Sequence, residues 1–74
     1  MSVMNVLDRT GDTRIEWNPA VPAEVSMAKK AFDEAKKKQY LTYKLDANGN
    51  QGELIREFDP RAERIVATPQ TVGG

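Results

Sequence analysis

Only one stretch of this sequence repeats with a helical period; the rest either alternates or turns. Between residue 22 and about residue 38, Val25, Ala28, Phe32 and Ala35 recur on one stripe, with Ala31 beside it. Lys29, Lys30, Asp33, Glu34, Lys37 and Lys38 fall on the opposite face. Pro22 suits the first helical turn, where its missing N–H costs nothing. Glu24 near the start and Lys36, Lys37 and Lys38 near the end match the helix dipole. Lys29–Asp33, Lys30–Glu34, Asp33–Lys37 and Glu34–Lys38 are oppositely charged pairs at i,i+4 spacing. A lone amphipathic helix must bury its stripe, and the only large partner available here is a sheet.

The other segments supply that sheet. Residues 3–7 are β-rich. Residues 8–12 form a turn cluster containing Gly11, and residues 13–17 alternate with Ile15 and Trp17 on one face, so these three segments predict a hairpin. Residues 18–22 break the alternation. Residues 40–45 resume it, and Leu41, Tyr43 and Leu45 are expected to point inward. Residues 46–52 contain Asn48-Gly49, a strong hairpin signal. Residues 53–58 are expected to form the return strand, 59–63 a single turn, and 64–68 the last strand. The polar, glycine-ended residues 69–74 are expected to be a flexible tail. The sequence thus predicts one two-layer α+β domain over residues 1–68, ordered ββαβββ, with about five strands packed on one helix. Trp17, Phe32, Tyr43 and Phe58, one per element, are expected in its core, with Tyr40 half exposed at the helix end. If Leu54, Phe58, Ile65 and Ala67 face the helix, Ile55 and Val66 lie on the open face as a candidate docking patch.

Composition removes several classes of function. The chain has 74 residues, which suits one small domain. It contains neither cysteine nor histidine, so disulfides, Cys/His zinc sites, a thiol nucleophile and a histidine base are all excluded. The 11 basic and 11 acidic side chains cancel, which argues against nucleic acid as the main partner. No apolar run approaches the length of a membrane span, and Asp8, Arg9, Asp12, Arg14 and Glu16 argue against a signal peptide. The expectation is a cytoplasmic, non-enzymatic protein with no catalytic residue, metal or cofactor. Asp46, Asn48, Asn50 and Glu57 echo a calcium loop. However, Gln51 stands where that loop needs glycine, and the flanks alternate as strands, so a hairpin turn is the better reading. Lys36, Lys37 and Lys38 read as a solvated helix end rather than an anion patch.

The most informative feature is the terminal Gly73-Gly74. Two residues without Cβ atoms can thread a narrow channel and adopt backbone angles closed to other residues. A carboxylate presented this way could attack ATP to form an acyl-adenylate, from which a sulfur or amine nucleophile displaces AMP.

The ββαβββ order running into a Gly-Gly tail resembles the β-grasp fold of ubiquitin-like proteins. The closing stretch, with Pro69, Val72, Gly73 and Gly74 after a final strand, resembles the sulfur-carrier branch in particular, which includes the small subunit of molybdopterin synthase. It departs from that branch at Gln70, where a second proline is common, and from ubiquitin in lacking an arginine-rich approach to the glycines. The resemblance implies that Gly74 is the residue activated and transferred, that Gly73 allows its passage, and that Pro69 and Val72 are recognised with the tail. The implied partners are an E1-like adenylating enzyme, a target protein or sulfur acceptor, and an isopeptidase, without nucleic acid or membrane. Three functions follow as alternatives. The first is a protein modifier joined to a target amine, and the second a sulfur carrier with a C-terminal thiocarboxylate. The third is a structural or adaptor module, for example of a phage assembly, in which the glycines are incidental.

Overall fold

A computed structural model describes residues 1–46, 48, 50 and 52–70. Strands β1 (Ser2–Asp8) and β2 (Gly11–Trp17) are followed by helix α1 (Pro22–Lys37), then β3 (Leu41–Leu45), β4 (Glu53–Leu54) and β5 (Arg64–Thr68). The five strands form one mixed sheet in the order β2-β1-β5-β3-β4. β5 lies at its centre, parallel to β1 and antiparallel to β3. The architecture is therefore α+β, with a sheet packed on a single helix, and is compatible with the β-grasp.

Local chemistry sets the element ends. The β1–β2 ladder runs through Asp8↔Gly11, so the connection is only Arg9-Thr10, tighter than the expected five-residue turn. Gly11 takes φ 134°, which favours glycine. At the helix start Val21 offers no capping side chain. Instead Glu24 Oε1 accepts the Asn18 N–H at 2.9 Å, and Asn18 Oδ1 accepts that of Ala20 at 2.9 Å. At the helix end the Tyr40 N–H reaches Ala35 O at 3.0 Å and the Gln39 N–H reaches Lys36 O at 2.9 Å. This is a Schellman closure, in which the residue after the cap must turn left-handed. That residue is Gln39, at φ 65°. Of the expected i,i+4 ion pairs, Lys29–Asp33 closes at 2.8 Å, whereas Lys38 turns to Asp8 at 3.7 Å.

Met4, Trp17, Ala28, Phe32, Ala62 and Ile65 form the buried cluster, with Val6, Ile15, Val25, Ala31, Ile55 and Phe58 packed against it. Phe58 sits between Trp17 and Phe32, at ring-centroid distances of 5.2 and 5.7 Å. The Trp17 indole N–H donates to Pro60 O at 3.0 Å, which ties the 55–63 segment under the sheet. Within that segment the Ala62 N–H closes a turn on Asp59 O at 3.1 Å, the single turn expected there.

Three expectations about the sheet are overturned. Register places Thr42 opposite Ala67 and Lys44 opposite Ile65, so Thr42 and Lys44 share the core face. Leu41, Tyr43 and Leu45 therefore lie on the open face, and Tyr43 is not a core residue. Polar residues can point inward here because each finds a partner. Thr42 Oγ1 donates to Ile55 O at 2.6 Å, and Lys44 Nζ donates to Asp59 Oδ2 at 3.0 Å. The return strand is only Glu53–Leu54 rather than 53–58, because the chain then bends beneath the sheet to deliver Ile55 and Phe58 to the core. Ile55 is consequently on the core side and Leu54, 53% exposed, is on the open side, the reverse of the expected pair.

Candidate functional site

The site begins where β5 ends. Thr68 is its last residue, and the half-buried Pro69 and exposed Gln70 follow. Val72, Gly73 and Gly74, which the sequence nominates for tail recognition and activation, lie outside the described residues. Pro69 is placed on the wall of a cleft at the tail root. The Gln70 side-chain amide donates to the Gln39 carbonyl at 2.8 Å and fastens the tail root to the helix end. Central placement in the sheet gives β5 paired neighbours on both sides up to this point.

That cleft, about 420 Å³ in volume, is lined by Arg9, Lys38, Gln39, Tyr40, Pro69 and Gln70. Arg9 comes from the β1–β2 turn, Lys38, Gln39 and Tyr40 from the helix end, and Pro69 and Gln70 from the tail root. Lys38 Nζ stands 5.9 Å from the Tyr40 ring centroid. Asp8 lies beside them. Burial alone would raise its carboxyl pKa. Hydrogen bonds from the Arg9 backbone N–H, the Tyr40 hydroxyl and the Thr10 backbone N–H, together with the Lys38 charge, outweigh burial and hold it below the usual aspartate range. The Asp8 carboxylate is paired with Lys38 at 3.7 Å. Among the described residues, Arg9 takes part in no ion pair.

The open face is a second candidate surface. One row across the sheet runs Arg14, Asn5, Val66, Tyr43, Leu54. Val66 is on this face as expected. Its apolar neighbours are Tyr43 and Leu54, flanked by Leu41 and Leu45, rather than Ile55. The open face is therefore more apolar than the sequence reading implies.

Asp46, Asn48, Asn50 and Gly52 lie between β3 and β4. Asp46 Oδ1 accepts the backbone N–H groups of Asn48 and Asn50, each at 3.0 Å, so this carboxylate orders its own loop. No cluster of metal-ligating side chains occurs among the described residues. No helix among them is long and apolar enough to cross a membrane.

Sequence reasoning does not nominate Arg9 or Gln39 as site residues, and it marks Gln70 only as a departure from the sulfur-carrier pattern. One signal for Gln39 is present, however: the helix ends in Lys36-Lys37-Lys38-Gln39-Tyr40 with no glycine at the position where a Schellman closure normally has one. Compared with known proteins, the chain matches no family model, no curated protein and no solved structure.

Proposed function

We propose that this chain is a ubiquitin-like modifier that works through the carboxylate of Gly74. An ATP-dependent adenylating enzyme activates it in the cytoplasm. The carboxylate oxygen bonds to the α-phosphorus of ATP and pyrophosphate leaves. A target amine then attacks the acyl carbon, AMP leaves, the amine proton passes to a base, and an amide remains. Gly73 and Gly74 supply the slim approach this needs, and the domain itself contributes recognition rather than catalysis.

One observation carries the reading. The last strand is the central strand of a mixed sheet on one helix, and its end is fastened by the Gln70–Gln39 hydrogen bond. A terminus emerging from the central strand has a fixed point of departure, which suits a group to be delivered into another protein's active site. The open face around Tyr43, Leu54 and Val66 offers that protein a docking area.

The test is to incubate the purified chain with its activating enzyme and ATP and weigh the products. Attachment of the chain to a second protein through Gly74 is expected. A chain bearing one extra residue after Gly74 should fail to attach. Exchange of one oxygen for sulfur at the terminus, without attachment, would replace this reading with sulfur carriage. Unchanged mass with an enzyme shown to be active would overturn it in favour of an adaptor module.

A further inference from the structure

We propose that the cleft at the tail root binds an acidic peptide segment of a partner protein, with Arg9 as its main anchor. That the partner is the enzyme handling the tail rests on the function proposed above; the peptide binding itself does not.

Three independent observations support the inference. The first is charge. Arg9 and Lys38 both line the cleft, and the nearby carboxylate, Asp8, is paired with Lys38 at 3.7 Å, which leaves Arg9 as the uncompensated charge. The Arg9 guanidinium therefore presents five donors in a fixed fork with no acidic partner among the described residues, a geometry matched to a carboxylate. The second is size and lining. At about 420 Å³ the cleft lies within the range of ligand pockets and is far larger than a single small anion requires. Besides Arg9 it is lined by Pro69, Tyr40 and Gln39, residues suited to a peptide's backbone and side-chain carbons. The third is backbone cost. Gln39 holds a left-handed conformation that glycine would adopt with less strain. Its carbonyl contact to Gln70 would survive as glycine, so what the glutamine adds is a side chain on the cleft wall.

The experiment is an NMR titration of the full ¹⁵N-labelled chain with the blocked peptide acetyl-Asp-Glu-Asp-Glu-amide at low salt, with inorganic phosphate in a parallel series. Saturable shifts confined to Arg9, Lys38, Gln39, Tyr40 and Gln70 are expected, weakened at least tenfold by Arg9→Glu and by several-fold in Gln39→Gly. Arg9 is exposed in a turn, and an unchanged amide spectrum elsewhere verifies the fold of each variant. Shifts that fail to saturate, that centre on Lys29, Lys30 and Lys37, or that persist in Arg9→Glu would overturn the proposal. So would phosphate reproducing the same shifts at the same concentrations, since the cleft would then be reading charge alone. The two readings fail separately. Peptide binding without activation of the terminus removes only the terminal chemistry, and activation without peptide binding removes only the cleft.

Discussion

Gln39 occupies a backbone region that costs an L-residue roughly 1 kcal/mol or more, at a position where helices commonly place glycine. Gln39→Gly should therefore stabilise the domain by about 1 kcal/mol, raising the thermal midpoint by roughly 4–8 °C for a chain of this size, measured by circular dichroism. An unchanged or lowered midpoint would show that the side chain contributes packing that offsets its strain. The same substitution weakens the cleft, so stability and binding are expected to move in opposite directions at one residue. Sequence reading passes over Gln39 because backbone angle is not written in residue type; only the missing glycine hints at it. The Arg9 turn escapes for a similar reason, since its length depends on how far the β1–β2 ladder runs.

Among the elements, α1 is the one the sequence announces most fully. Its stripe, its proline start and its basic end all reappear, with Ala28, Phe32 and Ala35 buried. The β1–β2 hairpin and β5 are also recovered: apolar alternation in β2 and β5 agrees with one buried face, and β1 is legible from its β-rich composition alone. β3 shows the weakness of alternation. Leu41, Tyr43 and Leu45 are its apolar set, yet Thr42 and Lys44 face inward. Register to β5 decides the face, and a shift of one residue exchanges every side chain. No local pattern announces that Asp59, fifteen positions along, will hold Lys44. β4 is short for a related reason: Ile55 is needed below the sheet, where its N–H also reaches Thr42 O at 2.9 Å. The approach to β4 depends on Gly52, since a Cβ there would overlap the Lys44 carbonyl. Backbone cannot yield as a flexible side chain does. Gly52→Ala is therefore expected to cost about 2 kcal/mol, within the range of overpacked sites, seen as a lower urea midpoint with faster amide exchange at Leu54 and Ile55. Wild-type exchange at those amides would mean that β4 shifts freely.

At the scale of the molecule, charge sets the range of pH over which the fold holds. The hydrogen bond that Lys44 donates to Asp59 is the main cause of the raised Lys44 pKa, and the same bond followed by that from the Arg61 N–H lowers the pKa of Asp59. Asp8 is lowered as well. Groups with depressed pKa stabilise above the unfolded aspartate value of about 3.9 and lose that contribution as pH falls through their folded values. Lys44 stabilises below the unfolded lysine value of about 10.4 and loses its contribution as pH rises through its higher folded value. These groups predict stability that is level between about pH 5 and pH 9 and falls on both sides, with salt reducing the effect because the ion pairs are partly exposed. Urea midpoints across pH check this, and Asp59→Asn should flatten both limbs. An unchanged profile in that variant would show that the pair contributes nothing.

β5 is also the last strand to be made and the one that joins the two halves of the sheet. It inserts between β1, sixty residues or so earlier by register, and β3. Until residues 64–68 have been synthesised, β1 and β3 each keep an unpaired edge and the apolar stripe of α1 lacks Ile65 and Ala67 beneath it. Completion of the sheet during translation therefore waits on the strand that leads into Pro69 and Gln70. A chain halted before Arg64 has neither a continuous sheet nor a closed core, so the open face exists only on a fully assembled body.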